Sequence, residues 1–240
     1  MIILRPASQR GHVKHGWLDS RHTFSFGSYY DPQHMGISAL RVINDDVVAP
    51  GAGFATHGHS DMEIISYVKH GSIEHKDSMG HIQHLPAGEF QLMSAGTGVT
   101  HSEYNPSQTE PLNFLQIWIV PDQFGIKPGY QQKRFAAAPM QLIASPAGRN
   151  SGQNSGQNSG ENGALKLQQD ARLYQISLAA AESTELAGVS GRTLYLHMVR
   201  GDLEIENTKL SEGDGATLTD IDIFDAHSRH GGEALLFDLP

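Results

Sequence analysis

The feature that most restricts how this chain can fold is a run of short apolar stretches between residues 63 and 120, each cut off by turn-forming residues. EIISYVK (63–69), SIEHKD (72–77), HIQHL (81–85), EFQLMSA (89–95), VTHSEYN (99–105) and NFLQIWIV (113–120) are separated by His-Gly, Asp-Ser-Met-Gly and Pro-Ala-Gly punctuation. None is long enough for a typical helix, and the last puts Phe114, Gln116 and Trp118 on one face and Leu115, Ile117 and Ile119 on the other. Short strands at this spacing predict an all-β sandwich or barrel, and 26 glycines and 11 prolines supply its tight turns. Upstream, HTFSF (22–26) reads as a strand with His22, Phe24 and Phe26 on one face, capping a barrel end with aromatics, and SALRVIN (38–44) as the next strand, followed by a turn region from Asp45. QQKRFAAA (131–138) has the composition of one short helix.

SGQNSGQNSGENG (151–163) has no apolar side chain and predicts a flexible surface loop or linker. Beyond it the β pattern resumes in LYQISLA (173–179), TLYLHMVRGDLEIEN (193–207), LSEGDGATLT (210–219) and EALLFDLP (233–240). TLYLHMVRGDLEIE repeats the strand, glycine turn and strand of EIISYVKHGSIEHK, and LSEGDGATLT repeats the turn and strand of LPAGEFQLMS, which reads as an internal duplication. The expected organisation is a domain over 1–125, a connecting segment over 126–163 and a second domain over 164–240.

With 17 basic against 26 acidic residues and no basic cluster, no nucleic-acid surface is expected. The absence of cysteine excludes disulfides, thiolate metal sites, iron–sulfur clusters and cysteine nucleophiles, so a metal here must be held by His, Asp or Glu. No stretch reaches membrane-spanning length and the opening MIILRPASQR carries no signal-peptide core, so a cytoplasmic protein without a membrane partner is expected.

Chemistry concentrates in GAGFATHGHSDME (51–63) and GTGVTHSEYN (96–105). His57 and His59 are two residues apart, as are His101 and Glu103, and side chains two apart on a strand share a face. Two such strands side by side offer three imidazoles and a carboxylate, a set suited to a divalent transition metal with positions left open. The second half lacks both pairs, and His197, His227 and His230 do not reproduce the spacing, so that half reads as structural. His75, His81 and His84 read as solvated hairpin residues, and His12, His15, His34 and His70 as turn or loop residues. Asn105 returns to the metal-facing side and is placed to orient a ligand.

The two stretches resemble the paired motifs of the cupin superfamily. HGWLDSRHTFSF (15–26), YYDP (29–32), GFATHGHSDMEIISYV (53–68), GEFQLMSAGTGVTHSEYN (88–105) and LQIWIVP (115–121) resemble the pirin family, densely over residues 10–125 and more loosely afterwards. That resemblance implies a bicupin of two β-barrel, double-stranded β-helix domains, with metal in the first only. In many cupins the glutamate of the first motif is a ligand, which would be Glu63; in pirins it is the glutamate two after the third histidine, here Glu103. Strand alternation also favours Glu103, and the expected ligands are His57, His59, His101 and Glu103.

The resemblance further implies a quercetin 2,3-dioxygenase activity, opening a flavonol ring with dioxygen and releasing carbon monoxide. Fe(II) is the metal it favours; the ligand types alone do not separate it from Cu, Ni, Mn, Co or Zn. Glu103 is the expected catalytic base, and Phe54, Met62, Phe90, Leu92, Phe114 and Trp118 the candidate apolar wall. The expected partners are a flavonol such as quercetin and dioxygen, acting on a monomer. Eukaryotic pirins imply an alternative, a non-enzymatic redox sensor that partners transcription regulators.

Overall fold

The computed structural model describes residues 1–146, 163–221 and 223–240. The repeat over 151–162 lies outside these residues. The described chain is almost entirely β and divides into two compact units. Among the described residues no helix is long and apolar enough to cross a membrane.

The chain opens with β1 (Ile2–Arg5) and one 3-10 turn at Ala7–Gln9, then enters the first unit, Gly11–Arg134 with Leu167–Gln169. Its strands are β2 (Gly11–His15), β3 (Leu18–His22), β4 (Leu40–Val48), β5 (Gly53–His59), β6 (Glu63–His70), β7 (Ser72–Asp77), β8 (Ile82–Pro86), β9 (Glu89–Ser94), β10 (Val99–Tyr104), β11 (Leu112–Ile119) and β12 (Gly129–Arg134). They form a seven-stranded sheet, β12-β9-β6-β11-β4-β3-β2, and a four-stranded sheet, β5-β10-β7-β8. Val48, Val68, Ile73, Leu85, Leu112 and Phe114 make one buried cluster of this unit; Ile64, Met93, Ala95 and Val99 make another.

Three expectations change here. Residues 131–134 extend β12, paired with β9 from Gly129↔Ser94 to Arg134↔Glu89, instead of starting a helix; ladder hydrogen bonds to an existing sheet override local helix propensity. Asp45 to Val48, taken as turn, continue β4, because β3 and β11 pair with it on both sides. The strand carrying His22 stops there: Phe24 is buried, and Phe26 makes an isolated bridge to Tyr29.

The second unit comprises Met1–Arg10, Phe135–Lys166 and Asp170–Pro240. It contains β13 (Met140–Pro146), β15 (Arg172–Leu178), β16 (Ser183–Ala187), β17 (Thr193–Ile205), β18 (Thr208–Ser211), β19 (Gly215–Leu218), β20 (Ile223–His227) and β21 (Gly232–Leu239); β14 (Leu165–Leu167) lies where the chain passes between units. β1 pairs antiparallel with β19, so the first ten residues belong with the second unit, and the pairing of β12 carries the first unit to Arg134; both limits differ from the expected 1–125 and 164–240. Leu186, Leu196, Leu203, Ile205, Phe224, Ala226 and their neighbours fill this unit with one apolar cluster.

Candidate metal centre

β5 and β10 lie side by side, antiparallel, with His101 opposite His57 and Val99 opposite His59. Gly53 permits the close approach at the other end, since a Cβ there would sit 2.3 Å from the Glu103 carbonyl oxygen. Between His101 and Glu103 the register shifts, so Glu103 faces Phe54 and two residues of β10 span three of β5. This bulge brings Phe54 to the face of His57 although the two are three apart in sequence.

The three imidazoles converge through their Nε2 atoms: His59 to His101 is 3.0 Å and His101 to His57 is 3.1 Å. The His57 Nδ1 lies 2.8 Å from the Ala55 carbonyl oxygen; donating its hydrogen there leaves the Nε2 lone pair directed into the cluster. Burial, reinforced by the neighbouring imidazoles, lowers the pKa of His59 to about 4 and of His101 to about 3, which favours the neutral, metal-ligating form.

Glu103 is buried and anchored at both oxygens. Ser66 Oγ donates to Oε1 at 3.1 Å and Gln116 Nε2 donates to Oε2 at 2.8 Å. Ligand atoms of Glu103, His101 and His75 lie within 4.8 Å of one another, as do those of His57, His59 and His101. His101 thus belongs to both groups.

His75 is fully buried, unlike the solvated hairpin histidine expected. Its Nε2 is 3.0 Å from Asp77 Oδ2, its ring centroid is 5.4 Å from that of His101, and it pairs across β10 with Glu103. The signal available in the sequence was its alternation with Ile73, an inward position. His81 also contacts Asp77, whereas His84 remains exposed.

Glu63, the alternative ligand, belongs to neither group. It is buried in the seven-stranded sheet and accepts hydrogen bonds from Ser94 Oγ and the Gln168 backbone N–H. Burial raises its pKa to about 7. Asn105 is equally committed elsewhere, donating to the Val48, Ala49 and Glu110 carbonyls and accepting from the Ser107 N–H, so it braces a loop.

A half-open cavity of about 180 Å³ reaches His57, His59, Glu103 and Gln116. Of the expected wall, Phe54 and Trp118 line it; Phe90, Leu92 and Phe114 are fully buried, and Met62 packs on the Ile64 cluster. Trp118 stands edge-on to His59 at 5.0 Å, and Phe26 edge-on to Trp118 at 5.1 Å. His22 on β3, read from the sequence as part of a barrel cap, lines the far wall, and sequence reasoning missed the rest of it: Ser20 on β3, Asn44 and Asp46 on β4, and His15 at the end of β2. Two polar residues at i and i+2 inside the apolar run LRVINDDVV were the available signal.

Residues 4–119 match the profile described as Pirin, and residues 155–239 match that of the quercetinase C-terminal cupin domain. The chain is 50% identical to a quercetin 2,3-dioxygenase of Escherichia coli strain K12, covering 100% of this chain and 99% of that protein. It is 40% identical to a putative quercetin 2,3-dioxygenase of Pseudomonas aeruginosa, with 100% of both covered. The crystal structure of the bacterial pirin YhhW from Escherichia coli in complex with nickel(II) superposes with a TM-score of 0.92 at 49% identity, covering 100% of this chain and 99% of that one. The His/Glu cluster therefore sits in a protein with full-length relatives on both measures, and the chain belongs to the pirin family, with the two cupin domains of an all-β bicupin.

Proposed function

We infer that the protein is a metal-dependent dioxygenase of the quercetin 2,3-dioxygenase type, with His57, His59, His101 and Glu103 holding the metal. The observation that carries this reading is the convergence of the Nε2 atoms of His57, His59 and His101, with His101 also grouped with Glu103, beside a cavity that reaches His57, His59 and Glu103 and is lined by Phe54 and Trp118. The donors fit a cation: nitrogens held about 2.1 Å from a common ion at right angles stand about 3.0 Å apart, matching the separations of 3.0 and 3.1 Å. Full-length relatives named for quercetin 2,3-dioxygenase support the substrate class.

A divalent ion held by His57, His59, His101 and Glu103 would supply a Lewis acid whose residual positive charge lowers the pKa of a flavonol hydroxyl. The protein's own contributions are geometric and protolytic. Glu103 accepts the proton of the flavonol 3-hydroxyl at a carboxylate oxygen, while Ser66 and Gln116 keep the carboxylate turned towards the cavity. Phe54 and Trp118 hold the ring system and exclude water. In the balanced reaction the C2–C3 and C3–C4 bonds break, both atoms of dioxygen are retained in the ester product at C2 and C4, and C3 departs with its own oxygen as carbon monoxide.

The test is aerobic incubation of quercetin with protein loaded separately with Fe(II), Ni(II), Mn(II), Co(II), Cu(II) or Zn(II). Stoichiometric carbon monoxide, with both atoms of labelled dioxygen in the ester and loss of turnover in Glu103→Ala, is the expected result. Failure of every metal-loaded form to consume any flavonol overturns the reading.

A further inference from the structure

The cavity wall across from the imidazoles carries polar groups that neither the metal nor the proton transfer uses. Ser20, His22, Asn44 and Asp46 all line the cavity and are 1%, 5%, 3% and 3% exposed. His22 Nδ1 and Asn44 Oδ1 are buried atoms without a hydrogen-bond partner, and beside them the Ser20 hydroxyl faces the buried Asp46 carboxyl. Two such atoms at one wall, next to a buried carboxyl, are costly unless a ligand or water completes them.

The β ladder sets their arrangement. Gln116, which donates to Glu103, lies opposite Asn44, and Asn44 lies opposite His22; one row up, Asp46 lies opposite Ser20. Adjacent strands are about 4.8 Å apart, so the row extends about 10 Å sideways from Gln116. A planar ring system with one end at the imidazoles can lay its other end along this row, with Phe26 and Trp118 against its faces or edges.

We propose that Ser20, His22, Asn44 and Asp46 form the subsite that reads the outlying hydroxyl groups of a neutral polyhydroxylated aromatic. This rests on the dioxygenase reading for the position of the other end of the molecule. The chemistry selects hydroxyls: Asp46 and Asn44 offer acceptors, Ser20 both a donor and an acceptor, and no lysine or arginine is among the lining residues to receive an anion. Burial lifts the Asp46 carboxyl to about 7, with Asp45 and Glu103 adding to the rise and Ser20 opposing it, so this wall penalises negative charge.

The test compares flavonols whose pendant ring carries two hydroxyls, none, or a carboxylate, on the wild type and on Asp46→Asn and Asn44→Leu. Two readouts are taken on the metal-loaded protein: aerobic kcat/KM, and anaerobic affinity from tryptophan fluorescence quenching. The wild type is expected to prefer the dihydroxylated over the bare compound by about tenfold or more, as expected for one or two hydrogen bonds to buried groups, and to bind the carboxylate worst. Each variant is expected to lose most of that preference, chiefly in KM; a ratio of two substrates on one preparation cancels any loss of folded protein. Equal ratios in wild type and both variants, or a wild type that favours the carboxylate, overturn the subsite. If no flavonol turns over but the anaerobic preference behaves as described, the subsite stands and the dioxygenase reading falls.

Discussion

The two units use one strand plan to opposite ends, and the difference lies in a few inward positions. Gly71 and Gly201 occupy the same turn, both at positive φ (81° and 73°), and each is close to a neighbouring backbone: a Cβ on Gly201 would sit 2.1 Å from the Gly231 carbonyl oxygen and one on Gly71 3.2 Å from that of Pro111. Counting from them, Ser66 corresponds to Leu196 and His75 to Ile205. β10 lies between β5 and β7, and β20 lies between β16 and the end of β17. Glu103 pairs with His75 as Ala226 pairs with Ile205; two residues earlier, His101 pairs with His57 as Phe224 pairs with Leu186. The second unit thus holds Leu186, Leu196, Ile205, Phe224 and Ala226 where the first holds His57, Ser66, His75, His101 and Glu103, and all five belong to one apolar cluster. A buried apolar side chain contributes roughly 1.5–3 kcal/mol. The first unit gives up that stabilisation at several positions and keeps donors and a cavity instead.

The largest effect is expected from putting the second unit's residue into the first. His101→Phe removes the nitrogen common to both donor groups. Metal per chain by mass spectrometry should fall close to zero and flavonol turnover by at least about a thousandfold, while the melting temperature stays near or above that of the metal-free wild type. Full metal occupancy in this variant would undo the comparison. Next in size is the converse change: Phe224→Ala opens a cavity in a filled core, at a cost of about 3–5 kcal/mol by denaturant unfolding, with the metal content of the folded protein unchanged.

A smaller effect separates the two units by pH. Glu63 stands where the second unit has Thr193, and burial raises its carboxyl from 4.5 to about 7. Between those values the folded chain keeps a proton that the unfolded chain has lost. Its contribution to stability is therefore complete below about pH 4.5 and is lost as pH rises through about 7. Glu63→Gln keeps an oxygen for Ser94 and Gln168 and cannot ionise, so it should be more stable than wild type by roughly 3 kcal/mol at pH 8 and nearly equal to it at pH 4.5. A variant less stable than wild type at pH 8 contradicts this account.

These effects bear on how much was legible beforehand. The strands over 63–120 were readable because apolar alternation and glycine turns agree there, and the His-x-His and His-x-Glu pairs because strand geometry makes spacing into a shared face. Residues 131–134 were not: their propensity is helical, and only the partner β9, distant in sequence, makes them a strand. His75 escaped because a histidine next to a turn is ordinarily solvated, and its burial depends on β10 and Tyr130, whose ring centroid is 4.9 Å away. The polar row on β3 and β4 escaped for the same reason, since which strand lies beside Asn44 is decided by long-range pairing.

The smallest predicted effect tests the finest point of the comparison, the support of Glu103. Ser66 Oγ is 3.1 Å from Glu103 Oε1 and 3.2 Å from Gln116 Oε1, but a hydroxyl has one hydrogen, and a carboxylate attracts it more strongly than an amide oxygen does. In the second unit Leu196 stands at this place and nothing needs holding. Ser66→Ala removes one of the two donors that turn the Glu103 carboxylate, leaving Gln116 as the other. Turnover should fall about tenfold in kcat with KM nearly unchanged, the loss of about one charge-assisted hydrogen bond in positioning the proposed base. Ser66→Ala and Gln116→Leu combined should lose less than the product of the single effects if each donor mainly sustains the geometry set by the other, and a fully multiplicative loss would mean that the two donors act independently on Glu103.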